Sequence, residues 1–339
     1  MTHPARSPLF HSNRFAQRFA LTTPIALAPM ALASGGALAA ACAQAGALGL
    51  VGGGYADLLW TQREYALATE LLQHDAVAQA RLGCGFVTWK LDEDAAALDW
   101  VLTQKPCALM LSFGDPRPYA ARIHAAGAQL ICQVQRMDQV PQALEAGAAV
   151  IVAQGGEAGG HGANALEGRS TFTLVPEMAD YLSAHAPDTL LLAAGGVGDG
   201  RGLAAALMLG ADGVLVGSRL WATAESLAAT GAKTQATQTS GDGTARSPVF
   251  DILRRKHWPA PYDFRAIRND LHRQLEHDVA GLKAHPDAAR ADYEAGVKAA
   301  DFTRAHATVG EAVGLIADIP TASAMIARIT QQAQTLLTK

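Results

Sequence analysis

The run Gln154-Gly155-Gly156-Glu157-Ala158-Gly159-Gly160-His161-Gly162 sets one imidazole inside a dense cluster of glycines. With a reference pKa near ~6.5, a histidine there can accept or donate a proton at neutral pH. Glycines at this density, Gly160 among them, let the backbone pass close to a flat ligand and turn its amides toward it. Two more runs have related chemistry: Ala194-Gly195-Gly196-Val197-Gly198-Asp199-Gly200 and Gly217-Ser218-Arg219. The backbone amides of Gly196, Gly198, Gly217 and Ser218 suit phosphate oxygens, and Arg219 adds positive charge. Asp199 reads as the cap of the helix that follows, since a carboxylate would repel phosphate. Ala28-Pro29-Met30 offers a fixed turn and a soft apolar surface for a planar ring. Thr88 and Gln133 are further hydrogen-bonding candidates. No H-E-x-x-H, G-x-S-x-G, G-x-G-x-x-G, Walker-type loop or metal cluster occurs. A phosphate cup and a histidine lack a redox or nucleophilic group of their own, so a bound cofactor has to supply the hard chemistry.

Such chemistry needs a scaffold that brings these runs together. Short apolar runs recur at 25–30, 48–53, 82–88, 108–112, 129–134, 150–154, 190–194 and 213–217, each followed by a turn signal and an Ala-rich segment of helical spacing. Being apolar on both faces rather than alternating, they read as buried parallel strands. Their spacing leaves room for a crossover helix each time. Eight such units predict an α/β fold, a (β/α)8 TIM barrel over residues 20–225, rather than an open doubly wound sheet. Helices are expected at 58–72, 119–126, 140–146 and 202–209, the last three stopped by Gly127, Gly147 and Gly210. Strand ends that feed the βα loops form the active face of such a barrel. Met30, Thr88, Gln133 and the His161 run all follow strands, and the two phosphate-type loops follow the seventh and eighth.

Residues 226–339 are more polar and predict a C-terminal helical extension packed on the barrel: a loop at 230–244, then helices at 265–283, 286–300 and 321–337. A lid on the barrel mouth is the expected use, with a homodimer surface as the alternative. The 339 residues are 50% hydrophobic and 17% charged, which excludes a disordered chain. A formal net charge of −4 gives no electrostatic footprint for nucleic acid or an anionic membrane. Cys42, Cys84, Cys107 and Cys132 form no C-x-x-C and read as reduced, small apolar fillers. The charge-free stretch from Phe19 to Ala56, preceded by Arg6, Arg14 and Arg18, imitates a signal segment. Pro24, Pro29, Gly35, Gly36, Gly46, Gly49 and Gly52 to Gly54 interrupt it before ~18 apolar residues accumulate. It reads as a buried strand, helix and strand in a cytoplasmic protein.

Ala28-Pro29-Met30, the loop Glu157-Ala158-Gly159-Gly160-His161-Gly162, Gly195-Gly196 with Gly198, and Gly217-Ser218-Arg219 together resemble the nitronate monooxygenase family, also known as 2-nitropropane dioxygenases. The resemblance extends to Gly314-Leu315-Ile316-Ala317-Asp318-Ile319-Pro320 near the C-terminus. It implies an FMN-dependent TIM barrel that oxidises alkyl nitronates with O2 to a carbonyl compound and nitrite, without nicotinamide. By position it implies His161 as the catalytic base, and Gly195, Gly196, Gly198, Gly217 and Ser218 at the FMN phosphate. Pro29 and Met30 would lie against the flavin, with Gln133 beside it. The sequence departs from many members in having no Asn within Gly83-Cys84-Gly85-Phe86-Val87-Thr88-Trp89, and from some in having Gly162 rather than Arg after the histidine. The nearest alternative is an FMN-dependent NAD(P)H reductase, of the enoyl-ACP reductase or NADH:quinone reductase kind. A phosphosugar isomerase or aldolase is a more distant one, disfavoured by the lack of a lysine at a strand end for a Schiff base.

Overall fold

The computed structural model describes residue 10 and residues 12–339; Arg6 lies outside the described residues. All eight expected strands form. They are β1 (Ile25–Leu27), β2 (Gly49–Gly54), β3 (Leu82–Val87), β4 (Ala108–Ser112), β5 (Gln129–Val134), β6 (Val150–Gln154), β8 (Leu190–Ala194) and β9 (Gly213–Val216), with β7 (Gly160–Ala163) outside the barrel. The parallel sheet runs in the order β1-β9-β8-β6-β5-β4-β3-β2. It closes through Leu27 N–H to Leu48 C=O and Leu48 N–H to Ile25 C=O, both 2.9 Å.

Successive residues of each strand serve two different cores, which is why the runs are apolar throughout. Ile25, Leu27, Cys84, Leu109, Leu111, Ile151 and Val214 face the surrounding helices. Ala26, Leu50, Met110, Ile131, Val152, Leu192 and Leu215 fill the barrel interior. Phe15 and Phe19, from the helix Arg14–Arg18 and its end, close the bottom of that interior core, their rings edge to face at 5.2 Å. With the bottom sealed, the open end is the one where the strands reach their C-termini. The stretch 19–56 is β1, the helix Gly36–Gln44 and β2, all largely buried. Among the described residues no helix is long and apolar enough to cross a membrane. Burial pushes the thiols of Cys84, Cys107 and Cys132 up to about 12, as expected of inert fillers.

The expected barrel helices form at Leu58–Leu71, Arg117–Ala125, Val140–Glu145 and Gly200–Met208. The region after the barrel differs from expectation in two places. The expected loop at 230–244 holds the helix Thr230–Ala236 and a 3-10 turn, Gly241–Gly243, before β10 (Thr244–Ser247). The expected helix 265–283 begins instead as β11 (Tyr262–Ile267), followed by the helices Asp270–Leu275 and Val279–Ala284. Asn269 and Asp278 accept the first-turn amides of His272 and Gly281, and so start two short helices where one was expected.

Two further helices, Asp287–Ala299 and Ala322–Leu337, lie where the spacing places them. The last joins the barrel's helical ring: Ile326, Ile329 and Ala333 share the core of the barrel helices. Gly200 permits its approach, because a Cβ there would lie 2.5 Å from the Ala333 nitrogen and the Ile329 carbonyl oxygen.

Candidate active site

A cavity of about 940 Å³ opens at the C-terminal ends of the barrel strands. Pro29, Met30, Gln133, Gly160, His161, Gly195, Gly196, Gly217 and Ser218 all line it, so residues up to 189 positions apart share one wall. Gly198 does not; it sits beneath the turn Glu311–Leu315, where a Cβ would meet Leu315 and Ala312 at 3.0 to 3.3 Å. Thr88 is buried behind the wall, and its hydroxyl has no hydrogen-bond partner among the described residues.

Arg219 corrects an expectation. Side chains of consecutive helical residues point about 100° apart, so Ser218 lines the cavity while Arg219 turns away from it. Its guanidinium is buried against Asp318, 2.7 Å from the carboxylate and 3.1 Å from the carbonyl. It ties the C-terminal segment to the barrel and does not line the cup. Asp199 caps its helix as expected, accepting from Arg201 N–H at 2.8 Å.

The glycine-rich run is not a free loop. Its end is β7, which pairs antiparallel with β11, His161 opposite Phe264, in a three-stranded sheet of order β10-β11-β7. Arg246 of β10 reaches across this sheet and donates to the carbonyls of Ala158 (2.6 Å), Gly160 (3.1 Å) and Asp263 (2.7 Å). Gly162 makes room for it, since a Cβ would lie 2.9 Å from the guanidinium. The second glycine run is more cradle-like. Gly195 and Gly196 take φ of +98° and +75°, a backbone that favours glycine. Ser218 Oγ accepts from Gly310 N–H at 2.8 Å, which brings the 308–310 segment over the cup.

His161 Nε2 lies 2.9 and 3.1 Å from the two carboxylate oxygens of Asp251, on the helix Val249–Leu253. Trp258 stacks on the imidazole with ring centroids 3.4 Å apart and planes 12° apart, and Phe264 packs at 4.8 Å. A carboxylate accepts only, so Nε2 carries the proton and Nδ1 is left as the acceptor. Among the described residues nothing hydrogen-bonds Nδ1. Burial pushes the His161 pKa down to about 4; Asp251 opposes the shift, while Arg254 and Arg246 add to it. At neutral pH the ring is therefore a neutral base of defined tautomer.

A second imidazole on the wall, His306, meets the Tyr293 hydroxyl at 2.7 Å and is pushed down to about 3, by burial first and then by Arg254. Both rings are neutral when folded but titrate near 6.5 when unfolded. As the pH falls below about 6.5 the unfolded chain takes up protons first. The stability contributed by these rings is complete above that pH and is lost progressively on the way to 4 and then 3. We expect the urea midpoint of the cofactor-free protein to drop between about pH 7.5 and about pH 5 at constant m-value. An equal or higher midpoint at the lower pH would contradict the buried neutral state.

Asp251, Arg254, Trp258 and Arg246 complete the site, and sequence reasoning missed them. The one available signal was the run Arg254-Arg255-Lys256-His257-Trp258, cations beside an indole in an otherwise nondescript extension.

Comparison with known proteins agrees with this geometry. The family model described as nitronate monooxygenase matches residues 67–332. Nitronate monooxygenase npaC of Metarhizium robertsii is 33% identical, covering 92% of this chain and 91% of its own length. Nitronate monooxygenase of Neurospora crassa is 30% identical over 92% of this chain and 89% of its own. Among solved structures, FabK from Thermotoga maritima superposes with a TM-score of 0.79 at 25% identity, covering 96% of this chain and 97% of that one. The barrel, the buried histidine on its open face and the likeness along more than nine-tenths of the chain place this protein in the nitronate monooxygenase family of oxidoreductases.

Proposed function

We propose that the cavity holds FMN and that the protein oxidises alkyl nitronates with O2 to a carbonyl compound and nitrite, with His161 as the base for neutral nitroalkanes. The observation that carries this is a neutral imidazole of fixed tautomer on the wall of a cavity that also contains a glycine cup. The cavity is at the upper end of the ~300–1,000 Å³ range of ligand sites, enough for a mononucleotide and a small substrate together. A Cβ on Gly217 would stand 3.7 Å from Ala28 Cβ and Met30 Sδ, in the space a ligand needs. The amides of Gly195, Gly196, Gly217 and Ser218 would hold the phosphate. Pro29 and Met30 would lie against the ring, with Gln133 and Gly160 beside it.

Bound FMN supplies the electron acceptor and the partner for O2. The chain does the rest. His161 Nδ1 takes the α-proton of a neutral nitroalkane, and the imidazolium so formed is stabilised through Nε2 by Asp251. Trp258 and Phe264 fix the ring plane and keep water off it. A preformed nitronate needs no proton abstracted and uses His161 for orientation only.

The deciding measurement is the visible spectrum of the FMN-loaded enzyme under anaerobic titration, first with NADH and then with a nitronate. We expect the flavin bands to bleach with the nitronate and to persist with NADH. Rapid bleaching by NADH would instead make the protein a nicotinamide-dependent reductase.

A further inference from the structure

Arg254 is the cation that the site has left over. It ends the helix Val249–Leu253, lines the cavity, and its side chain is 14% exposed. Its carboxylate neighbour is Asp251, whose Oδ1 lies 3.9 Å from Arg254 Nη2 and 3.1 Å from His161 Nε2. The guanidinium and the imidazole thus flank one carboxylate oxygen. Asp251 sits behind the wall, and its two partners stand on it. Of the five guanidinium N–H donors, one makes a hydrogen bond among the described residues, a long one of 3.4 Å to the Tyr55 hydroxyl. The guanidinium carbon lies 4.4 Å from the Phe264 ring, the same ring that packs on His161. That contact holds the fork in place without consuming donors.

The neighbouring cations are differently placed. Arg255 is exposed and engaged by Glu294, and Lys256 lies over the Tyr55 ring at 4.3 Å. Among the described residues neither side chain is hydrogen-bonded or ion-paired to the Asp251 carboxylate. A guanidinium that is mostly buried, short of acceptors and adjacent to the base calls for an anionic ligand of matching shape. A nitronate carries its charge on two oxygens of one planar nitrogen, which is the geometry a guanidinium fork binds in bidentate fashion.

We propose, resting on the nitronate reading above, that Arg254 receives the two nitro oxygens of the substrate and so directs the α-carbon to His161. Its charge is matched by a preformed nitronate in the ground state. With a neutral nitroalkane the charge appears on those oxygens only as the proton leaves for His161 Nδ1, so the same contact strengthens in the transition state. Loss of the guanidinium therefore has two different signatures. In Arg254→Met, nitronate turnover suffers in KM and neutral nitroalkane turnover suffers in kcat, each by roughly 10- to 100-fold. Arg254→Lys keeps a point charge but no fork and falls between the two.

Equilibrium binding of nitrate, an unreactive planar anion, tests the site apart from turnover. It is measured by calorimetry and by perturbation of the flavin spectrum in the FMN-loaded enzyme. The dissociation constant for nitrate should rise at least about tenfold in Arg254→Met and less in Arg254→Lys. Should the Met variant fail to fold, Arg254→Gln is read the same way. Equal nitrate affinity in wild type and variants, or loss of FMN in place of loss of nitrate, would overturn the assignment. If wild type binds nitrate through Arg254 but does not oxidise nitronates, the nitronate reading fails and the anion site stands.

Discussion

Replacing His161 with alanine should lower turnover of a neutral nitroalkane by a factor on the order of 10²–10⁴, the range for loss of a positioned general base. The same substitution should cost much less with a preformed nitronate, because that substrate arrives without the proton His161 removes. Equal and negligible losses with both substrates would refute the base role. Alanine also leaves Asp251, 5% exposed, as a buried carboxylate without its donor, and it removes the ring on which Trp258 stacks. His161→Gln separates these effects, since its amide can still donate to Asp251 but cannot act as a base at neutral pH.

Asp251→Asn makes the complementary test. Asp251 opposes the downward shift of His161. Without its charge the ring becomes less basic, and the acid limb of the rate profile with neutral nitroalkane moves to still lower pH. The plateau should drop about tenfold or more, because the imidazolium formed in the transition state loses its counter-charge. An acid limb that moves upward would mean that Asp251 does not act through the imidazole.

Gly217→Asp should strip the protein of FMN while leaving its fold intact. Gly217 has φ of −99°, outside the left-handed region that favours glycine. Its Cβ would find Ala28 Cβ and Met30 Sδ at 3.7 Å, ordinary contact distance. The consequence is electrostatic. A carboxylate held about 4 Å from a phosphate charge costs about 4 kcal/mol at an effective dielectric of ~20, and each ~1.4 kcal/mol is tenfold in affinity. The FMN dissociation constant is therefore expected to rise by a factor of order 10²–10³, read from flavin retained on gel filtration or from fluorescence titration. The thermal midpoint of the cofactor-free variant should match that of the cofactor-free parent. Unchanged FMN affinity would place the phosphate elsewhere.

Much of the scaffold was legible in the chain itself. A buried parallel strand has no solvent face, so runs such as 150–154 and 190–194 carry no polar alternation and end abruptly at glycine. Helix stops such as Gly127, Gly147 and Gly210 take φ of +78°, +72° and +95°, conformations that glycine adopts without strain. The cup was legible for a similar reason, since Gly195-Gly196 needs two consecutive positive φ values. β7 was not legible: Gly-His-Gly-Ala has little strand propensity, and its extended form is held by pairing with β11 and by Arg246 donating to the Gly160 carbonyl.

The amino-acid sequence by itself determined the eight strands, the order in which they present their ends, the glycine cup and the single histidine of the sixth strand end. Burial of apolar runs and the φ freedom of glycine are local properties that each segment carries alone. Only the tertiary structure decided how that histidine is tuned. Asp251, which supplies the partner, is 90 positions away from His161, and Arg254 and Trp258 arrive with it from the same polar extension. The partner that Arg219 meets on turning away was also a tertiary outcome, since Asp318 is 99 positions along the chain. Such contacts follow from which side chains share a low-dielectric wall after the chain closes, and no spacing along the sequence encodes that distance.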